Sequence, residues 1–121
     1  MSGEGTMYAS GLSSPIRTVT GSTFAAEVLN ASGRIAVEFM SYGCGHCRTI
    51  APVLEQVAEM VHADETVLRV NVGVDQDLAS TYGIEATPTF VMFRNGHEAG
   101  RVEGPDPNVA SVLAAITDAF A

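Results

Sequence analysis

The chain has 121 residues, of which 46% are hydrophobic and 17% charged, and its formal net charge is −8. This length fits one domain around one hydrophobic core, and no apolar run approaches the roughly 20 residues that span a bilayer. Only six Lys and Arg residues are present, and they are scattered. The composition therefore argues against nucleic acid and anionic membrane surfaces as partners.

The N-terminal segment, residues 1–16, is rich in Gly and Ser, with neither a basic start nor an apolar stretch. It lacks the features of a secretory signal, so we expect a flexible tail followed by one domain over residues 17–121. A cytoplasmic location is the corresponding expectation. A mature secreted chain whose signal has been removed is the alternative.

Helix and strand patterns alternate after the tail. In chain order, the patterns predict an edge strand at 18–20, a helix at 23–30, a buried strand at 35–40, a helix from 47 onward, a strand at 67–72, a short helix at 77–82, a hairpin of 89–94 with 97–103, and an amphipathic helix from 109. Asn95-Gly96 is a strong signal for the hairpin turn. Pro52 lies inside the second helix and should kink it. Met60 and Met92 are expected to be core residues.

This order of elements predicts an α/β fold. We expect strands separated by helices to pair in parallel and the hairpin to pair antiparallel. The result is a central mixed sheet of about five strands flanked by about four helices.

Cys44 and Cys47 stand three residues apart at the start of a predicted helix, where they are neighbours across one turn. Their Cα atoms can then lie within the separation that a disulfide tolerates. Unpaired N–H groups and the helix dipole favour a thiolate at Cys44, the exposed end. The pattern predicts thiol–disulfide exchange, with Cys44 as nucleophile and Cys47 as resolving cysteine.

Two other interpretations of the pair are weaker. A zinc site needs about four ligands, and only His62 and His97 could join the cysteines, by accident of folding. A haem attachment needs His directly after the second cysteine, where this chain has Arg48. We therefore expect no metal and no cofactor beyond the Cys44–Cys47 disulfide.

His46 lies between the two cysteines. Its imidazole or imidazolium would favour the Cys44 thiolate, stabilise the reduced form and make the disulfide more oxidising. The alternative is an exposed helix residue without a role.

From about Thr18 to the C-terminus, the chain resembles the thioredoxin family in the order and spacing of its motifs, which are Val37-Glu38-Phe39, Cys44-Gly45-His46-Cys47, Ala51-Pro52, Tyr82-Gly83-Ile84, Thr87-Pro88-Thr89-Phe90, Asn95-Gly96 and Gly104. The resemblance implies a thioredoxin fold in which Pro88 is cis and packs against the cysteines. It also implies that a substrate segment adds to the backbone of Thr87 like a short strand. Gly43, Thr87, Pro88 and Gly104 are thus the expected substrate-binding residues.

Several positions depart from the usual thioredoxin pattern. His46 replaces a proline and is similar to protein disulfide isomerase domains. Met40 and Gly43 replace two tryptophans, which leaves a flatter rim beside Cys44. Arg69 stands where the family has a lysine.

Glu38 lies within a strand expected to be buried, where the resemblance places the family's buried carboxylate. Because a buried thiol resists ionisation, Glu38 could accept the proton of Cys47, directly or through water. The alternative is a purely structural pair of Glu38 with Arg69. Pro52 and Arg69 are expected to lie behind the residues that act directly and to hold them in position.

The sequence therefore predicts an enzyme, a protein-disulfide oxidoreductase of the thioredoxin type. We expect protein disulfides to be its substrates and the chain to be a monomer. The resemblance implies that a flavoprotein thioredoxin reductase is its reductant. The alternatives are an isomerase or oxidase in an oxidising compartment, and a binding module gated by its cysteines.

Overall fold

A computed structural model describes residues 14–121 of the chain. Its strands are β1 (Arg17–Thr18), β2 (Arg34–Met40), β3 (Glu65–Asn71), β4 (Thr89–Arg94) and β5 (His97–Glu103), and its α-helices are α1 (Gly45–Val61), α2 (Gln76–Thr81) and α3 (Val109–Thr117). A π-helical segment, Ala25–Leu29, precedes β2, and a 3-10 turn, Asp118–Phe120, follows α3. Most of the expected tail lies outside the described residues. The boundary at residue 17 stays a prediction, and Ile16 is buried in the core.

The five strands form one sheet in the order β1-β3-β2-β4-β5. β3 pairs in parallel with β1 and β2, whereas β4 pairs antiparallel with β2 and β5. The fold is therefore the expected mixed α/β sheet with helices, and it is consistent with the thioredoxin fold.

One pairing expectation was wrong. β4 is separated from β3 by α2, yet it runs antiparallel to its neighbour β2. The reason is that α2 has six residues and is only about 9 Å long. The segment 72–88 does not return to the far edge of the sheet, and β4 begins at the edge where β2 and β3 end.

Hydrophobic clusters cover both faces of the sheet. One cluster joins α1 and α3 to β2 and β4 and includes Ile50, Leu54, Ile116, Ala36 and Phe90. The other joins the π-helical segment to the opposite face and includes Phe24, Val28, Val37, Phe39 and Phe93. Because successive strand residues point to opposite faces, Ala36 faces α1 and so does Glu38, two positions along.

The hairpin prediction is confirmed residue for residue. Asn95 and Gly96 have positive φ values of 51° and 83°, as a tight two-residue turn requires. The other predicted boundaries lie within two residues of those in the structure, and the first predicted helix forms as the π-helical segment. Met92 is buried as expected, but Met60 is 55% exposed because it lies beside the apolar stripe of α1.

Candidate active site

Cys44 and Cys47 are joined by a disulfide at the N-terminus of α1, with their Cα atoms 5.2 Å apart. Cys44 is the N-cap residue, and its Sγ accepts a hydrogen bond of 3.1 Å from the backbone N–H of Cys47. Cys44 is partly exposed, whereas Cys47 is 3% exposed. The residue spacing therefore produces one sulfur at the surface and a second sulfur one turn deeper.

This position favours a negative charge on Cys44. The first N–H groups of a helix have no partner within the helix, and the dipole is positive at that end. The N–H of Cys47 already points at the sulfur of Cys44. When the disulfide is reduced, the same N–H stabilises a thiolate, which is the nucleophilic form of cysteine.

The segment before β4 lies against the disulfide. The Thr87–Pro88 bond is cis, as the resemblance implies, and the carbonyl oxygen of Thr87 is 3.3 Å from Cys44 Sγ. The N–H of Gly104, at the end of β5, donates to the carbonyl of Pro88 at 2.8 Å. The antiparallel direction of β4 explains this gathering, because it brings the start of β4 and the end of β5 to the edge where β2 ends.

The rim beside Cys44 is open at Gly43. Gly43 is exposed, and a Cβ placed there would meet no heavy atom of the described chain within 4 Å. Tyr42, next to it, is 72% exposed. The surface around the disulfide thus carries an aromatic side chain one position away from the glycine.

Glu38 is buried behind the cysteines. Its side chain is 2% exposed, and Arg69 of β3 donates from Nε to its Oε1 at 3.1 Å. Burial raises the pKa of the Glu38 carboxyl above its ordinary value, and Arg69 offsets only part of this effect. The ion pair is therefore present, and the carboxyl at its centre has a higher proton affinity than an exposed one.

A cavity of about 280 Å³ connects this carboxyl to the redox pair. Glu38 and Arg69 line it from the sheet, and Cys47, Ala51 and Glu55 line it from α1. The three helix residues are four positions apart and so lie on one face of α1. The small Ala51 leaves space between the buried sulfur and the carboxyl, enough for water.

His46 is not among the residues that line the cavity shared by Cys47 and Glu38. Its ring is exposed, and Nε2 is 2.9 Å from the carbonyl oxygen of Pro105. Its role in tuning Cys44 stays a prediction. Pro52 lies exposed inside α1, and its supporting role is likewise a prediction.

Sequence reasoning missed three contributors to this site. Glu55 had a signal, since it lies eight residues after Cys47 on the same helical face. Tyr42 had the weaker signal of an aromatic residue beside a glycine. Pro105 had none, because it contributes a backbone carbonyl, which every residue carries. Within residues 14–121, no group of three or more His, Cys, Asp or Glu side chains is arranged to hold a metal ion.

The chain is similar to known proteins along most of its length. The thioredoxin family model matches residues 15–118. Thioredoxin 1 of Nostoc sp. is 37% identical over 89 residues, which cover 74% of this chain and 83% of that protein. The thioredoxin of Pseudomonas aeruginosa is 36% identical over 109 residues, or 89% of this chain and 98% of that one. Protein disulfide-isomerase 2-3 of Arabidopsis thaliana is 38% identical over 86 residues, covering 71% of this chain and 20% of its own length.

The fold and the helix-capping disulfide define a thiol–disulfide oxidoreductase that acts on proteins. With the matched family model and these relatives, the chain belongs to the thioredoxin family.

Proposed function

We propose that the chain reduces disulfides of cytoplasmic proteins as a monomer and is returned to its dithiol form by a thioredoxin reductase. The observation that carries the proposal is the placement of Cys44 Sγ at the N-terminus of α1, 3.1 Å from the N–H of Cys47. No cofactor or metal takes part beyond the disulfide itself. Among the described residues, no helix has the length and apolarity to cross a membrane.

The first step belongs to Cys44. Its thiolate attacks one sulfur of a substrate disulfide, so that a mixed disulfide forms and the other substrate sulfur leaves as a thiolate and takes a proton from solvent. The partial exposure of Cys44 makes its sulfur accessible to a protein substrate.

The second step belongs to Cys47 and Glu38. Cys47 gives its proton to the Glu38 carboxylate through the shared cavity and attacks Cys44 Sγ. The Cys44–Cys47 bond forms, the mixed disulfide breaks, and the second substrate sulfur leaves. Two electrons have then passed from the chain to the substrate. Arg69 holds the acceptor carboxyl in place.

The substrate segment lies along Thr87, Pro88 and Gly104 and passes over the open rim at Gly43. Support comes from the 3.3 Å approach of the Thr87 carbonyl to Cys44 Sγ, because a substrate cysteine bound there would meet the nucleophile. Backbone pairing with Thr87 would orient the substrate through main-chain hydrogen bonds, which do not depend on the substrate's sequence.

A second candidate is isomerase or oxidase activity in an oxidising compartment. It is favoured by His46, in a Cys-Gly-His-Cys motif, and by the likeness to protein disulfide-isomerase 2-3. The reduction potential separates the two candidates, since the potentials typical of thioredoxin and of protein disulfide isomerase differ by about 90 mV.

The test is reduction of insulin disulfides, coupled to NADPH and thioredoxin reductase, beside a redox titration of the chain. We expect turnover by the wild type and none by Cys44→Ser. A potential near that of isomerases with no turnover by the reductase would favour the second candidate. If Cys44→Ser kept full biological activity, the chain would instead be a binding module.

A further inference from the structure

The ring of His46 is hydrogen-bonded to a loop distant in sequence. Nε2 lies 2.9 Å from the carbonyl oxygen of Pro105, in the turn between β5 and α3. Since a carbonyl oxygen only accepts, Nε2 carries the proton and donates it. The histidine of the redox motif therefore links the start of α1 to the turn after β5.

The same turn comes close to the ring at a second point. A Cβ placed on Gly104 would lie 3.4 Å from His46 Cε1, and Gly104 has a φ of 49°. The turn and the imidazole are thus in van der Waals reach. A side chain at Gly104 would strain the backbone, and its Cβ would contact the ring.

The link to Pro105 completes a ring of contacts among three segments, one of which contains Cys44. Segment 44–47 contacts segment 87–88 through Cys44 Sγ and the Thr87 carbonyl. Segment 87–88 is bonded to segment 104–105 by the Gly104 N–H. Segment 104–105 is bonded back to segment 44–47 by His46. We name these three segments the collar.

The 104–105 segment of the collar is held in two ways, by its buried side chain and by a hydrogen bond to its carbonyl. The Pro105 side chain is buried and fixes one side of the turn by packing. Its carbonyl, among residues 14–121, receives a hydrogen bond from no group other than His46. A proline at position 46, usual in thioredoxins, has no side-chain donor and would leave this carbonyl to water.

We propose that His46 is a positioning residue, which holds the Gly104–Pro105 turn as one wall of the substrate groove by donating from Nε2 to Pro105. This role rests on the proposed substrate-binding function of Gly104. It is separate from any effect of the imidazole on the Cys44 thiolate, because it depends on a donor at one atom and not on the ring or its charge.

Two variants separate the roles. His46→Ala removes the ring and the donor, whereas His46→Gln removes the ring but keeps an amide N–H at the position corresponding to Nε2. Both should shift the reduction potential in the same direction if the imidazole tunes it. Only His46→Ala should release the turn. His97→Ala, which removes an exposed histidine from the far end of the hairpin, is the matched control.

The measurements are the KM for insulin and the hydrogen exchange of the Gly104 amide, which is bonded to Pro88. We expect His46→Ala to raise KM and speed exchange by about fivefold, the equivalent of one ordinary hydrogen bond. His46→Gln should restore both to within about twofold of wild type. His97→Ala should change neither.

Equal effects of the Ala and Gln variants, or unchanged Gly104 exchange in His46→Ala, would overturn the positioning role. Failure of the proposed function would look different. If the wild-type chain did not reduce insulin, the KM comparison would be lost, but Gly104 exchange would still decide whether His46 holds the turn.

Discussion

Glu38 is the residue whose environment most directly implies a chemical consequence. It is held by Arg69, shares a cavity with Cys47, and has a pKa raised by burial. A group that must be ionised to accept a proton works only above its own pKa. The resolving step should therefore slow as the pH falls through the raised pKa of Glu38, at a higher pH than an exposed glutamate would give.

Glu38→Gln should slow the second step about a hundredfold, within the usual range for a general base, while leaving the attack by Cys44 nearly unchanged. Stopped-flow absorbance with an aromatic disulfide that releases one coloured thiolate per step resolves the two events. Glu59→Gln is the control, because it makes the same change on an exposed part of α1. Equal slowing of both steps would contradict the proton role and leave Glu38 and Arg69 as a structural pair.

His46 also bears on the redox equilibrium. His46→Pro should make the reduction potential more negative, by up to about 90 mV, because the imidazole that favours the reduced form is gone. Equilibration with glutathione buffers, followed by alkylation of free thiols, measures the change. An unaltered potential would mean that the imidazole does not tune Cys44, and positioning of Pro105 would be its remaining role.

At the scale of elements, the sequence predicted the helices and strands whose signals lie within one short stretch of residues. The Asn95-Gly96 turn determines the hairpin, and apolar spacing identified α1 and its buried stripe. The direction of β4 was not predictable in this way. It depends on where the chain lies after the short α2, which is a property of the whole sheet.

The same distinction applies to the site. Cys44 and Cys47 could be assigned from their spacing, since one helical turn brings them together. The resemblance to the family implied the position of Glu38 beneath them, and strand alternation accounts only for the face that it shares with Ala36. The contact of His46 with Pro105 could not be foreseen, because it joins a side chain to a backbone carbonyl 59 positions away.

Helix α3 offers a test of local stability away from the sulfurs. Asn108 is its N-cap, and the side-chain oxygen accepts from the N–H of Ser111 at 2.8 Å. Asn108→Ala should lower the free energy of unfolding by about 1 kcal/mol, whereas Asn108→Asp should cost little because it keeps an acceptor. Urea denaturation of the three proteins measures the difference. A loss as large for Asp as for Ala would argue that the cap is not the cause.

At the scale of the whole molecule, the redox site and a buried carboxyl that affects stability lie at opposite edges of the sheet. The collar, which includes both cysteines, lies at the edge of the sheet where β2 ends. Glu65, at the start of β3, lies beside Arg34 at the opposite edge. Glu65 is 5% exposed, and its Oε2 is buried with no hydrogen-bond partner among residues 14–121. Burial raises the pKa of this carboxyl from 4.5 to about 7, against the lowering effect of Arg34.

This pKa shift makes folding depend on pH in a definite direction. Below about pH 4.5 the carboxyl is protonated in both the folded and the unfolded chain, so it imposes no cost. As the pH rises, the unfolded chain releases the proton first, and the folded state loses stability until the pH has passed the folded pKa of about 7. Glu65→Gln, which cannot ionise, should escape this loss.

Thermal unfolding at two pH values tests the coupling. At about pH 8 the Glu65→Gln variant should melt at a higher temperature relative to wild type than it does at about pH 4.5, because only wild type carries the buried charge. Insulin reduction should be unchanged, since Glu65 lies at the edge of the sheet away from the cysteines. A difference in Tm that is the same at both pH values would show that Glu65 does not titrate between them. The variant's effect would then come from packing or from the lost electrostatic attraction to Arg34.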